Sequence, residues 1–281
     1  MPDVVVVTVT LLCGFLAGVL AAILGVGGAV ITTPVIRFLG ATPLSAVGST
    51  VPAILPGALT GAQRYHRAGL VDVTAARVVA IAGVSFAILG ALAAEVVDAR
   101  WLMVVTATLV IWSGFTLLRP RPTTTTAAAT TTKRPTATTG PDSSPATRAT
   151  NAADPTPTPP TATLVGLGVC AGFLAGILGI GGGLVLTPGL SVFGKMPVKR
   201  AIATSLAAVS AMSVAALATH VATGHIDWRF ALPLAVGIVP GARLGSRFTL
   251  NANEDTLRTV CGIAMAVLGA IYLARELADF F

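Results

Sequence analysis

Apolar residues run along this chain in long blocks separated by short polar stretches. Blocks at about 4–24, 44–62, 74–96 and 101–118 are answered by blocks at about 163–178, 201–222, 230–248 and 258–278. Each is near the ~20 apolar residues that carry a helix across the hydrocarbon layer of a bilayer. Two further blocks, at about 29–40 and 183–194, are too short to do so unaided. The pattern predicts an all-α, polytopic transmembrane protein. The block from Val4 follows no basic segment and exceeds the roughly 7–15 apolar residues of a secretion signal. It reads as a retained membrane helix.

Residues 119–162 interrupt the pattern. They open on Arg119-Pro-Arg-Pro, are rich in Thr, Pro and Ala, and include Pro155-Thr-Pro-Thr-Pro-Pro160. Such a composition cannot bury a core, so an extended or disordered linker is expected. It divides the chain into a first transmembrane repeat, 1–118, and a second, 163–281.

The two halves share a frame. Gly18-x-x-x-Ala22-x-x-Gly25-x-Gly27-Gly28 is followed by Thr33-Pro34. The second half has Gly172-x-x-x-Gly176-x-x-Gly179-x-Gly181-Gly182-Gly183, followed by Thr187-Pro188. Gly25 to Gly179 and Pro34 to Pro188 are both steps of 154 residues. Pro43 matches Pro197, Thr50 matches Thr204 and His66 matches His220 in the same step. One residue later in register, Gly69-x-Val71-Asp72 matches Gly224-x-Ile226-Asp227, and Ala87-x-x-Gly90 matches Ala242-x-x-Gly245.

Basic residues decide how the short blocks are read. If every block crosses and the N-terminus is outside, the inner side holds eleven basic residues. These are Arg64, Arg67, Arg77, Arg119, Arg121, Lys195, Lys199, Arg200, Arg243, Arg247 and Arg258. The outer side holds four: Arg37, Arg100, Arg229 and Arg275. If the short blocks only re-enter, the same residues divide eight against seven. The positive-inside rule favours crossing. Five crossings per half turn the second half over, so the repeats are expected to be inverted, with broken helices.

Composition agrees. Of 281 residues, 54% are hydrophobic and 10% charged, against about 25% charged in a soluble domain. The net charge of +7 is scattered over block ends, which fits topology rather than a nucleic-acid surface. Cys13, Cys170 and Cys261 lie in apolar blocks without C-x-x-C, and read as buried inert thiols. No metal-ligand spacing, catalytic constellation or cofactor fingerprint stands out, so no enzyme, metal or cofactor is expected.

The candidate chemistry lies in the glycine stretches. A helix that restarts after a break presents unpaired amides and the positive end of its dipole. Such an end attracts anions. Gly25, Gly27 and Gly28, with Gly179, Gly181, Gly182 and Gly183, are the expected substrate-binding backbone. Gly18, Ala22, Gly172 and Gly176 read as close-packing residues. Thr33, Thr187, Thr50, Thr204 and Ser205 are candidate hydroxyl donors. Pro34 and Pro188 lack an N–H and so loosen the backbone beside them. Ser45, Ser49, Gln63, Ser210 and Ser213 line a polar path or bond across helices. His66 and His220 fall at block ends, where an interfacial or a gating role fits. Asp72 and Asp227 are expected to cap the next helix or to pair with a nearby arginine. Arg243 and Arg247 are expected to reach the inner surface. No Asp or Glu stands near the middle of any block, which favours an anionic over a cationic substrate.

The doubled Gly-x-Gly-Gly with its following proline, the apolar blocks and the central polar linker resemble the sulfite exporter TauE/SafE family of membrane permeases. Ala201-x-x-Thr204-Ser205, Gly224-x-Ile226-Asp227 and Gly241-Ala242-x-x-Gly245 add to the likeness. The resemblance covers nearly the whole chain outside 119–162. It implies transport of a sulfur oxyanion or organosulfonate. Ala29 stands where the second half has Gly183, so the two half-sites are expected to contribute unequally.

The sequence therefore reads as a multi-pass permease of the cell membrane. It would move a small anion by alternating access at paired glycine breaks. Its partners are that anion and the lipid bilayer, with no nucleic acid; homo-oligomerisation is left open. A small-ion channel and a non-transporting membrane scaffold or sensor are the rival readings.

Overall fold

Each half of the chain forms one long helix, a short helix that follows a break, and three further long helices. The structure, a computed structural model, describes residues 3–94, 96–97, 99–118, 159–179 and 181–278. Among these residues there are ten α-helices and no strand. The first half holds α1 (Asp3–Leu24), α2 (Ala29–Phe38), α3 (Pro43–Arg67), α4 (Val73–Ala93) and α5 (Ala99–Leu118). The second holds α6 (Thr161–Leu178), α7 (Gly183–Val192), α8 (Val198–Ala222), α9 (Trp228–Asn251) and α10 (Glu254–Ala278). Most of the expected linker, 119–158, lies outside the described residues. Its last two residues belong to α6, so the second helical half begins at Thr161.

Local chemistry sets the helix starts. Thr42 accepts from the Ser45 amide at 3.3 Å and is followed by Pro43, whose missing N–H costs nothing in the first turn. Asp72 caps α4 through the Ala75 amide at 3.0 Å, and Asp227 caps α9 through the Arg229 amide at 3.0 Å. Both aspartates take the capping role expected of them.

The helices bury small residues and expose large ones. Ala17, Ala21, Ala87, Ala171, Ala175 and Ala242 are all but fully buried. Val4, Leu12 and Leu16 of α1, Ile81 and Leu89 of α4, and Leu232 and Val236 of α9 stand exposed. A surface this apolar is stable against lipid, not water. Val4–Leu24, Leu44–Arg67, Val73–Ala93, Thr161–Leu178 and Val198–Ala222 are each long and apolar enough to cross a membrane. The protein is a multi-pass membrane protein.

The small residues let particular helices touch backbone to backbone. Gly14 lies against Leu234, and Gly18 against Ile238 and Ala242, so α1 and α9 run parallel. Gly168 lies against Val79, Gly172 against Gly83 and Gly176 against Ala87, so α6 and α4 also run parallel. These two pairings exchange when the halves are exchanged. By contrast, Gly114 meets Gly262 and Ala266 while Gly269 meets Ile111, so α5 and α10 are antiparallel. Helices α3 and α8 are antiparallel as well: the segment after each reaches the first turns of the other.

At ten residues, α2 and α7 are about 15 Å long, half the hydrocarbon thickness. The chain doubles back to enter them. Gly28 lies against the carbonyl of Ala17, and Gly182 against that of Ala171, its match 154 residues on. Helix α2 then runs back along α1 until Ile36 joins Cys13, Ala46 and Phe230 in one buried cluster. The first turns of α3 and α9 are thereby placed beside the first half of α1.

Gly172 has no room for a side chain, whereas a methyl group at Gly166 meets nothing. Gly172→Leu should lower stability by about 3 kcal/mol or more, and Gly166→Ala should change it by less than about 0.5 kcal/mol. Thermal unfolding in detergent measures both.

Candidate functional site

The two breaks meet in the middle of the bundle. Gly28 (φ 91°) and Gly182 (φ 70°) precede α2 and α7 in the left-handed region, where only glycine is at ease. Neither helix has a side-chain cap. The hydrogen-bond ladder of α2 starts at the Ile31 amide, and that of α7 at the Val185 amide, each 3.2 Å from its acceptor. Gly183 lies directly on the carbonyl of Gly25 and on Val26, so a methyl group there would collide with the other break. Gly181 sits between Ile54 of α3 and Val209 of α8.

Breaking a helix also frees carbonyls, and hydroxyl or thiol groups from distant helices close them. The Tyr65 hydroxyl donates to the Ala22 carbonyl at 2.7 Å. The Cys261 thiol donates to Ile23 at 3.3 Å. Ser205 and Thr187 both donate to Gly25, at 3.0 and 3.3 Å. Thr50 donates to Gly179 at 3.4 Å and to Val47 at 2.8 Å. Ser113 donates to Leu184 at 3.0 Å. At both breaks, most of these donors come from the opposite half. All six donors are enclosed: Tyr65, Cys261, Ser205, Thr50 and Ser113 are 0% exposed and Thr187 is 1% exposed.

The structure thus brings together Gly25, Gly179, Gly181, Gly183, Thr50, Thr187 and Ser205. Gly27, Gly28 and Gly182 form the turns themselves, and Pro188 is buried within α7. Thr33 is 3% exposed, and its hydroxyl has no partner among the described residues. Pro34 lies in α2, with its side chain outside the described residues. Thr204 goes elsewhere: its hydroxyl accepts from the Asp72 amide at 3.1 Å, on the segment joining α3 to α4. Ser49 does the same for the Asp227 amide at 2.8 Å. Each half's third helix therefore clasps the segment that follows its counterpart. On α8 the residue facing the break is Ser205, one step and about 100° around the helix from Thr204.

Other residues add to this set or depart from the reading of the sequence. Tyr65 and Ser113 lie at the centre of the hydrogen bonding although nothing local distinguishes them; only the pairing of distant helices gives them partners. Cys261 is buried as expected but serves as a donor, and Cys170 is exposed rather than buried. His66 is exposed at the end of α3, whereas its match His220 is 1% exposed. Arg243 and Arg247 both remain exposed, and the Arg243 carbonyl accepts from the Arg64 guanidinium at 2.6 Å.

Ser205 and Thr187 share one acceptor, so each covers for the other. Ser205→Ala and Thr187→Val should each cost less than about 1 kcal/mol of stability, and the double variant more than their sum. A double-mutant cycle of unfolding midpoints tests this.

Comparisons with known proteins place the chain among membrane transporters. The family model described as sulfite exporter TauE/SafE matches residues 10–272. The probable membrane transporter protein YunE of Bacillus subtilis is 23% identical over 91% of this chain and 93% of its own length. A probable membrane transporter protein of Xylella fastidiosa (strain Temecula1) is 26% identical over 96% of each chain. No solved structure matches.

Proposed function

The chain belongs to the sulfite exporter TauE/SafE family of membrane transporters, and from that premise we propose that it carries a small anion at the meeting point of its two breaks. The observation that carries this reading is an imbalance. Hydroxyl and thiol groups occupy carbonyls at both breaks, while the first-turn amides of α2 and α7 precede any helical acceptor. The breaks therefore offer donors rather than acceptors. An anion satisfies them; a bare cation would compete with protein donors for the carbonyls. The free Thr33 hydroxyl adds one more donor. The family's printed description and the donor-rich breaks together favour a sulfur oxyanion or an organosulfonate, whose oxygens accept several hydrogen bonds at once.

Alternating access follows from inverted halves. The antiparallel packing of α3 on α8 and of α5 on α10 supports that inversion, as does the charge distribution. Rocking one half against the other would open the breaks to each side in turn. Topology is tested in a Cys170→Ala background with single cysteines at Gly40, Gly224 and Gly69, three loop positions without close neighbours. Gly40→Cys and Gly224→Cys should label from one face of the membrane and Gly69→Cys from the other. Labelling of all three from one face overturns the inverted arrangement.

Transport itself is tested by reconstitution into liposomes with sulfite, sulfate, thiosulfate and sulfonates. Saturable flux of at least one is expected; leak without saturation would support a channel, and no flux would remove the proposal. Gly27→Ala and Gly181→Ala should cut flux at least about tenfold, equivalent to roughly 1.4 kcal/mol, with folded yield preserved.

A further inference from the structure

One carbonyl at the second break faces a group unlike its counterpart. Tyr65 closes Ala22 in the first half. Gly176, 154 residues after Ala22, stands with its backbone beside the ring of His220. The Nε2 atom of His220 has no partner among the described residues, on a side chain that is 1% exposed. Native proteins rarely leave such an atom unmatched. Ser213, seven residues earlier and so on the same face of α8, is 2% exposed and its hydroxyl is likewise unmatched. These two atoms extend from the end of α8 toward Val209, which lies against Gly181 of the second break.

A route reaches this face from water. The rings of His220 and His225 are edge to face with centroids 6.2 Å apart. The Nδ1 atom of His225 is 2.8 Å from the Thr223 hydroxyl. His225 also lines an open cavity of about 580 Å³ with Ser45, Asp227 and Arg229.

We propose that His220 is a proton-binding site linked to the anion site. Its Nε2 takes a proton from the cavity by way of His225. The imidazolium so formed stands behind the second break and favours an anion there. Proton and anion then travel in the same direction, and the proton returns to water when the anion leaves. This deepens the anion-permease reading and rests on it. The surroundings leave His220 as the main titrating group on this face. Among the described residues, His225 faces it, with Asp227 and Arg229 across the cavity. Helix α7 carries no ionisable side chain, and α6 only the exposed Cys170. Those of α3 (Arg64, Tyr65, His66, Arg67), α4 (Arg77) and the first half of α10 (Glu254, Asp255, Arg258, Cys261) lie toward the opposite end. Helix α1 contributes Cys13, in the cluster with Phe230.

The experiment uses proteoliposomes of the full chain with an internal pH dye. Methanesulfonate and sulfate are the probes, because both stay anionic at every pH used. In the wild type, anion movement should carry protons with it, and an aligned pH gradient should raise flux at least tenfold. His220→Gln keeps a donor beside Gly176 but binds no proton. It should lose the proton signal that accompanies anion movement in the wild type. Proton movement that persists in His220→Gln, or wild-type flux indifferent to the gradient, overturns the proposal and leaves the permease reading intact. Absence of flux for these probes and for the wider panel overturns the permease reading instead. Should His220→Gln fail to fold, His225→Gln decides: several-fold slower proton movement supports the route, and an unchanged rate overturns it.

Discussion

A backbone carbonyl inside a bilayer has no water to turn to, so each one released by a broken helix must find a donor within the protein. That constraint organises the centre of this molecule. The breaks release the carbonyls of Ala22, Ile23, Gly25 and Gly179, and side chains from other helices converge on them. The convergence in turn requires helices to approach closely, which the glycine and alanine faces of α1, α4, α6 and α9 allow. The first-turn amides of α2 and α7, by contrast, precede any helical acceptor. The preference for anions proposed for the site is thus the remainder left after the carbonyls are satisfied.

The same accounting explains the difference between the halves. Ala29 and Gly183 occupy matching positions, and the missing methyl group at Gly183 is what lets that residue rest on the Gly25 carbonyl. The asymmetry is therefore a point of contact between the two breaks. Tyr65 and His220 make a second asymmetry. They stand at equivalent carbonyls, but the phenol spends its one polar atom there and the imidazole keeps a nitrogen unmatched.

Much of this was legible in the residues because its signals are local. Block length announced the helices, positive-φ glycines the breaks, and Asp72 and Asp227 the caps. Antiparallel α5 and α10 accord with the charge count. What the sequence concealed depends on distant pairing. Tyr65, Ser113 and Cys261 are isolated polar groups in apolar runs, and only the pairing of helices gives them acceptors. Thr204 and Ser205 looked equivalent, yet a rotation of about 100° sends one to a loop and the other to the break. The burial of His220 and exposure of His66 follow from what packs outside each helix, which the shared frame does not specify.

The cross-clasping of the halves also bears on how such a chain arose. Ser205 and Thr187 close a carbonyl of the first half, Thr50 closes one of the second, and Ser49 and Thr204 hold each other's loops. Either half by itself would keep unpaired carbonyls in hydrocarbon, so neither is a complete folding unit. That is the logic of an obligate dimer. Joining the two on one chain replaces an encounter between separate molecules by a high effective concentration of each half for the other.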